Sequence, residues 1–229
     1  MKYTHLIASL VAVTLLSCKK DIENVPKAEI QQPLAPVTYP NFSNLKVGNY
    51  WIYQRFEIDG AGNETALSFI DSCYIEKDTI IRGNTYYKYV SPDFTMGFSP
   101  TPVNMIATKF YRDSLSYLVT NYGSIEFSSN DFMSVFNQGI KIASPNDTLC
   151  RYEFKMADQN LSVTAPLGAF VTSNFKETYY MYPHYSNAGT VRSRNTRYSE
   201  GVGKVIQEWC FFVNVPTKWE SRLIRYHLN

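Results

Sequence analysis

The sequence predicts a single, mainly β domain over residues 45–229, an antiparallel sheet with one or two short helices. Apolar and polar residues alternate with a period of two in segment after segment, the pattern of half-buried strands. Aromatic side chains are abundant, with 18 Tyr and 14 Phe, and such rings pack well on a pleated surface. Short Gly, Asn and Asp clusters punctuate these runs and supply the backbone conformations that hairpins require.

The chain opens with MKYTHLIASLVAVTLLSC. Lys2 gives a positive start, and Leu6 to Leu16 form an apolar run interrupted by Ser9 and Thr14. As a helix this run reaches about 16 Å at about 1.5 Å per residue. A hydrocarbon core is about 30 Å thick, so residues 1–17 read as a signal peptide. Leu15-Leu16-Ser17-Cys18 resembles a bacterial lipobox, which implies cleavage before Cys18 and lipid, palmitate included, on the new first residue. The membrane would then be the first partner. Each buried methylene contributes about 0.8 kcal/mol, and more than one acyl chain makes the hold firm. Lys19, where an Asp would favour the inner membrane, points by the same resemblance to the outer membrane. Lys19-Lys20-Asp21-Ile22-Glu23 is similar in part to the charged tags of Bacteroidota-type surface lipoproteins, and either leaflet is open.

Residues 18–44 carry Pro26, Pro33, Pro36 and Pro40 with few large apolar residues, a composition that favours an extended tether. At about 3.1 Å per residue it would reach roughly 80 Å. With residues 1–17 removed, Lys2 is lost and no acid, which leaves 21 basic against 20 acidic side chains. That balance gives no case for nucleic acid as a partner. Seven Lys/Arg from Arg192 onward (192, 194, 197, 204, 218, 222, 225) face three Glu. At strand spacing they predict one solvated, basic C-terminal face, with an anionic glycan or phosphate site as the sharper reading. Cys73, Cys150 and Cys210 cannot all pair within one chain and contain no C-x-x-C. Only His184 and His227 accompany them in the mature chain, so no zinc set and no cofactor follows.

In YWIYQRFEI, Tyr50, Ile52, Phe56 and Ile58 share one side, with Trp51, Tyr53, Arg55 and Glu57 on the other. VIQEWCFFV and LIRYHL alternate in the same way. Turn signals at 59–63, 82–84, 112–114, 121–123 and 157–160 separate strand-like runs. NDFMSVFNQG, Asn130 to Gly139, predicts a helix, with an Asn/Asp cap, Phe132, Met133 and Phe136 at helical spacing, and a closing Gly. YSEGVGKV, Tyr198 to Val205, lacks the first Gly and the Ser/Thr of a phosphate loop and runs into a strand, so it predicts a strand corner. Gly201 and Gly203 would allow a bulge there, where a Cβ would clash.

LKVGNYWIYQ, APLGAF at Ala165 to Phe170, and YSEGVGKV recur in that order in small envelope lipoproteins. Over residues 45–213 the chain resembles the TapB-like and LolA/LolB-like group. The resemblance implies a curved antiparallel sheet forming an incomplete β-barrel around an apolar groove. Pro166-Leu167-Gly168-Ala169-Phe170 departs from the commoner PAG-x-F pattern, and Ser186 to Asn195 is an added polar stretch.

The chain is not expected to be an enzyme. It contains no G-x-S-x-G and no H-E-x-x-H. His184 in MYPHYS is an isolated base, and Asp71, Glu76, Asp78 and Glu153 are scattered along strands without the paired spacing of a glycosidase. Asp78-Thr79-Ile80, Asp113-Ser114-Leu115 and Asp147-Thr148-Leu149 match a D-[ST]-apolar O-glycosylation pattern, and their hydroxyls equally suit local backbone bonds. Trp51, Tyr53 and Tyr179, with Tyr86, Tyr87 and Tyr180, either line a groove or fill the core. The expectation is a lipid-anchored binding or scaffold protein with an apolar small molecule in its groove. The alternatives are a surface module that contacts glycans or an envelope protein through exposed aromatics and the basic face, and, third, a hydrolase using His184.

Overall fold

Alternation in the sequence becomes thirteen antiparallel strands in the computed structural model, which describes residues 37–92, 106–211 and 215–229. The first half holds β1 (Tyr50–Ile58), β2 (Glu64–Ile81), β3 (Asn84–Pro92), β4 (Ile106–Ser114), β5 (Tyr117–Thr120) and β6 (Ile125–Ser128). The second holds β7 (Asn137–Ser144), β8 (Asp147–Met156), β9 (Leu161–Ala165) and β10 (Gly168–Met181). It ends with β11 (Val191–Ser199), β12 (Gly203–Phe211) and β13 (Lys218–His227). Twelve strands follow the hydrogen-bonded order β6-β5-β4-β3-β2-β1-β13-β12-β11-β10-β8-β7, while β9 pairs with the start of β10. The leader expected over residues 1–17, and Cys18 after it, lie outside the described residues.

The sheet curls into a nearly closed barrel. Its middle is stitched where β1 meets β13, with Trp51 opposite Tyr226 and Ile58 opposite Lys218. Side chains close the wall between its β5–β6 end and the β8, β10 and β11 half of the sheet. Tyr117 and Phe136 meet edge to face at 6.0 Å, Phe127 and Tyr198 lie 4.6 Å apart, and the Ser128 N–H points at Met156 Sδ at 3.3 Å. A barrel closed this way keeps a seam that an annular hydrogen-bond ladder would seal.

Trp51, Tyr53 and Arg55 are buried on one side of β1, as the alternation predicts. Trp51, Tyr53, Cys73, Ile75, Val205 and Leu223 form one apolar cluster. Tyr111, Leu118, Phe127, Met156, Phe175 and Tyr198 form a second. Leu45 and Tyr89 touch both clusters and make them one core. Cys73 and Cys150 are both buried and free.

The end of the stretch expected as tether lies on the barrel. Asn41 accepts from the Gly201 N–H at 2.8 Å, Phe42 packs 5.0 Å from Phe127, and Ser43 Oγ donates to Asp113 at 2.6 Å. These residues strap the turn between β11 and β12 to β4 and β6.

The helix expected over Asn130 to Gly139 does not form. Asp131 Oδ1 instead accepts from the Met133 and Ser134 N–H groups at 3.1 and 3.0 Å, a local turn that competes with helix. Phe136 then donates its N–H to Phe154 at 2.8 Å and leads into β7. Phe132 and Phe136 pack on the second cluster, whereas Met133 is 92% exposed, so their spacing never made an apolar stripe. Among the described residues the helical segment is a single 3₁₀ turn, Pro183–Tyr185.

Candidate functional site

A cleft of about 490 Å³ opens inside the barrel between the β4–β6 wall and the β8–β12 wall. Its apolar side is a set of three rings. Phe136 and Phe175 are stacked at 6.5 Å, and Phe154 meets Phe175 edge on at 6.2 Å. Its polar side comes from alternate positions of neighbouring strands. Lys109 on β4 and Glu126 on β6 face Glu177 on β10, Arg194 on β11 and Lys204 and Gln207 on β12.

Both carboxylates are held. Glu126 accepts from Lys109 Nζ at 2.7 Å and from the Tyr111 hydroxyl at 2.5 Å. Burial pushes the Glu126 carboxyl up, yet Lys109 and Tyr111 outweigh it and leave it below the usual carboxylate range. Burial, with the charge of Glu126 added, holds the Tyr111 phenol well above its ordinary value. Glu177 accepts from Arg194 Nε at 2.8 Å and also from the Tyr179 hydroxyl. Burial lowers the Arg194 guanidinium, but Glu177 and Tyr179 reverse this and keep it above normal.

Lys204 reaches the cleft because of its corner. A register shift between Arg197 and Tyr198 sets Tyr198 opposite Lys204. Gly201 turns the chain at φ 72° and Gly203 enters β12 at φ 101°, both in the left-handed region. A Cβ on Gly203 would stand 3.1 Å from Trp51 Nε1, so the glycine is required for space as well as for φ. The half-buried Lys204 ammonium donates to Gln207 Oε1 at 2.8 Å and lies over the rings of Tyr89 and Tyr198 at 5.7 and 6.0 Å.

No family model matches the chain. No curated protein matches it either. Two solved structures are similar. One is named a "putative lipoprotein" from Parabacteroides distasonis, with 16% identity, 83% of this chain and 100% of that one covered, and a TM-score of 0.42. The other is a "putative exported protein with YmcC-like fold" from Bacteroides fragilis, with 12% identity, coverage of 82% and 99%, and a TM-score of 0.43. Neither name mentions the TapB-like or LolA/LolB-like group, and likeness at this level bears on no ligand.

Trp51 and Tyr53 line a smaller void of about 30 Å³, room for a water or two, which shares Tyr198 and Lys204 with the cleft. The Trp51 indole donates to Val202 O at 2.7 Å and the Tyr53 hydroxyl to Lys204 O at 2.9 Å, so both polar tips are spent on the β11–β12 corner. Tyr179 stands behind the cleft, on Glu177 and beneath Arg194 and Lys141 at 5.6 and 5.0 Å. Tyr86 accepts from Arg112, Tyr87 packs on the first cluster, and Tyr180 lies under Arg151 at 4.0 Å. His184, 80% exposed on the 3₁₀ turn, is 3.7 Å from Asp147 and does not line the cleft. Among the described residues no three His, Cys, Asp or Glu converge as a metal set.

The basic run from Arg192 does not make one solvated face. Arg194 and Lys204 line the cleft, Arg197 pairs with Asp158, Lys218 with Glu208, and Arg222 with Glu64 and Glu220. The bulge in β12 and the acids on neighbouring strands divide the set. What the sequence reading missed is Glu126, Glu177 and the inward aim of Lys204. A signal existed for Glu177, which is in phase with Phe175 and Tyr179, both inward residues of β10.

Proposed function

We propose that this chain is a lipid-anchored protein of the cell envelope that holds a small amphipathic molecule in its barrel cleft. The observation that supports this most is the cleft's division into a phenylalanine side and a charged side. About 300–1,000 Å³ is the usual size of a small-molecule site, and such sites combine apolar walls with a few placed polar groups. A wholly apolar occupant would strip water from Lys204 and Arg194 without replacing it, which is costly. The occupant therefore has a polar end, which refines the apolar ligand expected from the sequence.

The address rests on Leu15 to Cys18. Cys18→Ser is expected to move the protein from the membrane fraction to the soluble one and to abolish incorporation of labelled palmitate. Equal membrane binding by the variant would overturn the anchor. Native mass spectrometry of the full chain purified from envelopes is expected to show an added mass beyond polypeptide and lipid, released by organic solvent. A clean mass of the lipidated chain alone would count against the ligand.

A further inference from the structure

We propose that Lys204 docks a single oxyanion, a carboxylate at the polar end of the amphipathic molecule, inside the barrel cleft. This rests on the cleft being a ligand site and adds the chemistry of the ligand's head.

The cleft presents three cations, Lys109, Arg194 and Lys204, against two carboxylates, Glu126 and Glu177. Lys109 is bound to Glu126 at 2.7 Å and Arg194 to Glu177 at 2.8 Å, and each carboxylate has a phenol as well. Lys204 makes no salt bridge among the described residues. Its hydrogen-bond acceptor is the neutral Gln207 amide, which leaves two of three N–H donors for another group. The cleft thus holds one positive charge more than it balances.

Burial pulls the Lys204 ammonium down to about 8; Glu126, Cys73 and Glu177 oppose the fall and Lys109 adds to it. A cation desolvated this far gains when an anion arrives, because Coulomb attraction strengthens in a low-dielectric site. One negative charge balances the excess. A dianionic phosphate monoester would bring a second, to be set against Glu126 and Glu177. The remainder of the molecule has Phe136, Phe154 and Phe175 to lie on.

The test uses the full chain with Cys18→Ser, kept soluble, and three probes that share one ring system: pyrenebutyrate, pyrenebutanol and pyrenebutyl phosphate. Fluorescence anisotropy is expected to show the acid binding about tenfold tighter than the alcohol, equivalent to about 1.4 kcal/mol, and tighter than the phosphate. In Lys204→Met, with folding checked by circular dichroism, acid and alcohol are expected to bind alike. Equal binding of acid and alcohol to the unaltered barrel would overturn the carboxylate and leave the cleft as a ligand site. A preference for the phosphate would overturn the single charge. Binding of none of the three would overturn the cleft reading and this inference together. The comparison on the unaltered barrel decides the matter even if Lys204→Met fails to fold.

Discussion

Asp71→Ala is expected to destabilise the barrel by about 3–5 kcal/mol, because it removes the carboxylate paired with a buried guanidinium. Arg55 Nε and Nη2 donate to Asp71 Oδ2 and Oδ1 at 2.7 and 2.8 Å, a two-pronged pair whose side chains are 3% and 5% exposed. Ser221 from β13 adds a longer bond to Asp71 at 3.4 Å, and the Phe69 ring lies 5.5 Å from the guanidinium. The register of β1 against β2 shifts between Gln54 and Phe56, so the pair sits where the ladder is interrupted. It ties β1 and β2 to β13 where the first and last strands meet. An ordinary domain is stable by about 5–15 kcal/mol, so the loss is about a fifth or more of the total. A solvated pair is a useful control: Arg151–Glu153 lies partly in water, and Glu153→Ala should leave the denaturation midpoint nearly unchanged. Urea denaturation of the full chain measures both. Replacing both partners, Arg55→Met with Asp71→Leu, should recover most of the loss, since the ion pair costs desolvation on both sides. A loss for Asp71→Ala as small as the Glu153 control would mean that Arg55 finds water when its partner is gone.

Much of this barrel can be read from period two, and the unread parts have physical reasons. Trp51, Tyr53 and Arg55 could be assigned to one buried side because β1 keeps its alternation through its first six residues. β12 could not be assigned so simply. The shift at Arg197/Tyr198 places Val205 and Ile206 both in the core, which alternation alone forbids. The segment at Asn130 fails for a different reason. Its cap residue and its aromatic spacing are those of a helix, but the open side of β8 was waiting at Phe154, and tertiary pairing overrode the local preference. Lys204 was hidden by both effects. In YSEGVGKV it reads as one more base after a corner, and only a bulge plus a Gly-Trp contact turns it inward. Arg194 and Glu177 carry opposite charges on opposite positions of β10 and β11, a pairing visible only once the register is known. Charges in phase with buried aromatic residues are the mark of this cleft, and that mark needs the strands to be placed first.

Trp51→Ala is the second large expected effect, a loss of about 3–5 kcal/mol for the cavity with a further cost of about 1–3 kcal/mol for the carbonyl left without its donor. The indole is 3% exposed, packs 6.3 Å from Tyr89, and donates to Val202 O across the barrel at 2.7 Å. Trp51→Phe separates the two contributions. It keeps most of the apolar volume and removes the N–H, so about 1–3 kcal/mol should be lost. Gly203 provides a cross-check. Gly203→Ala meets the indole at 3.1 Å and holds φ at 101°, two penalties of different origin. In a Trp51→Ala background the clash disappears and the backbone strain stays, so the alanine should cost less there than in the unaltered chain, by an amount that a double-mutant cycle reads as coupling. Equal costs in the two backgrounds would mean that the strand moves aside rather than pressing on the ring. The same contact bears on the cleft. Trp51 and Tyr53 fix Val202 O and Lys204 O, the carbonyls on either side of Gly203. A variant that loosens this corner while staying folded, such as Trp51→Phe, should therefore narrow the difference in affinity between pyrenebutyrate and pyrenebutanol, although residue 51 lines only the small void and touches neither probe.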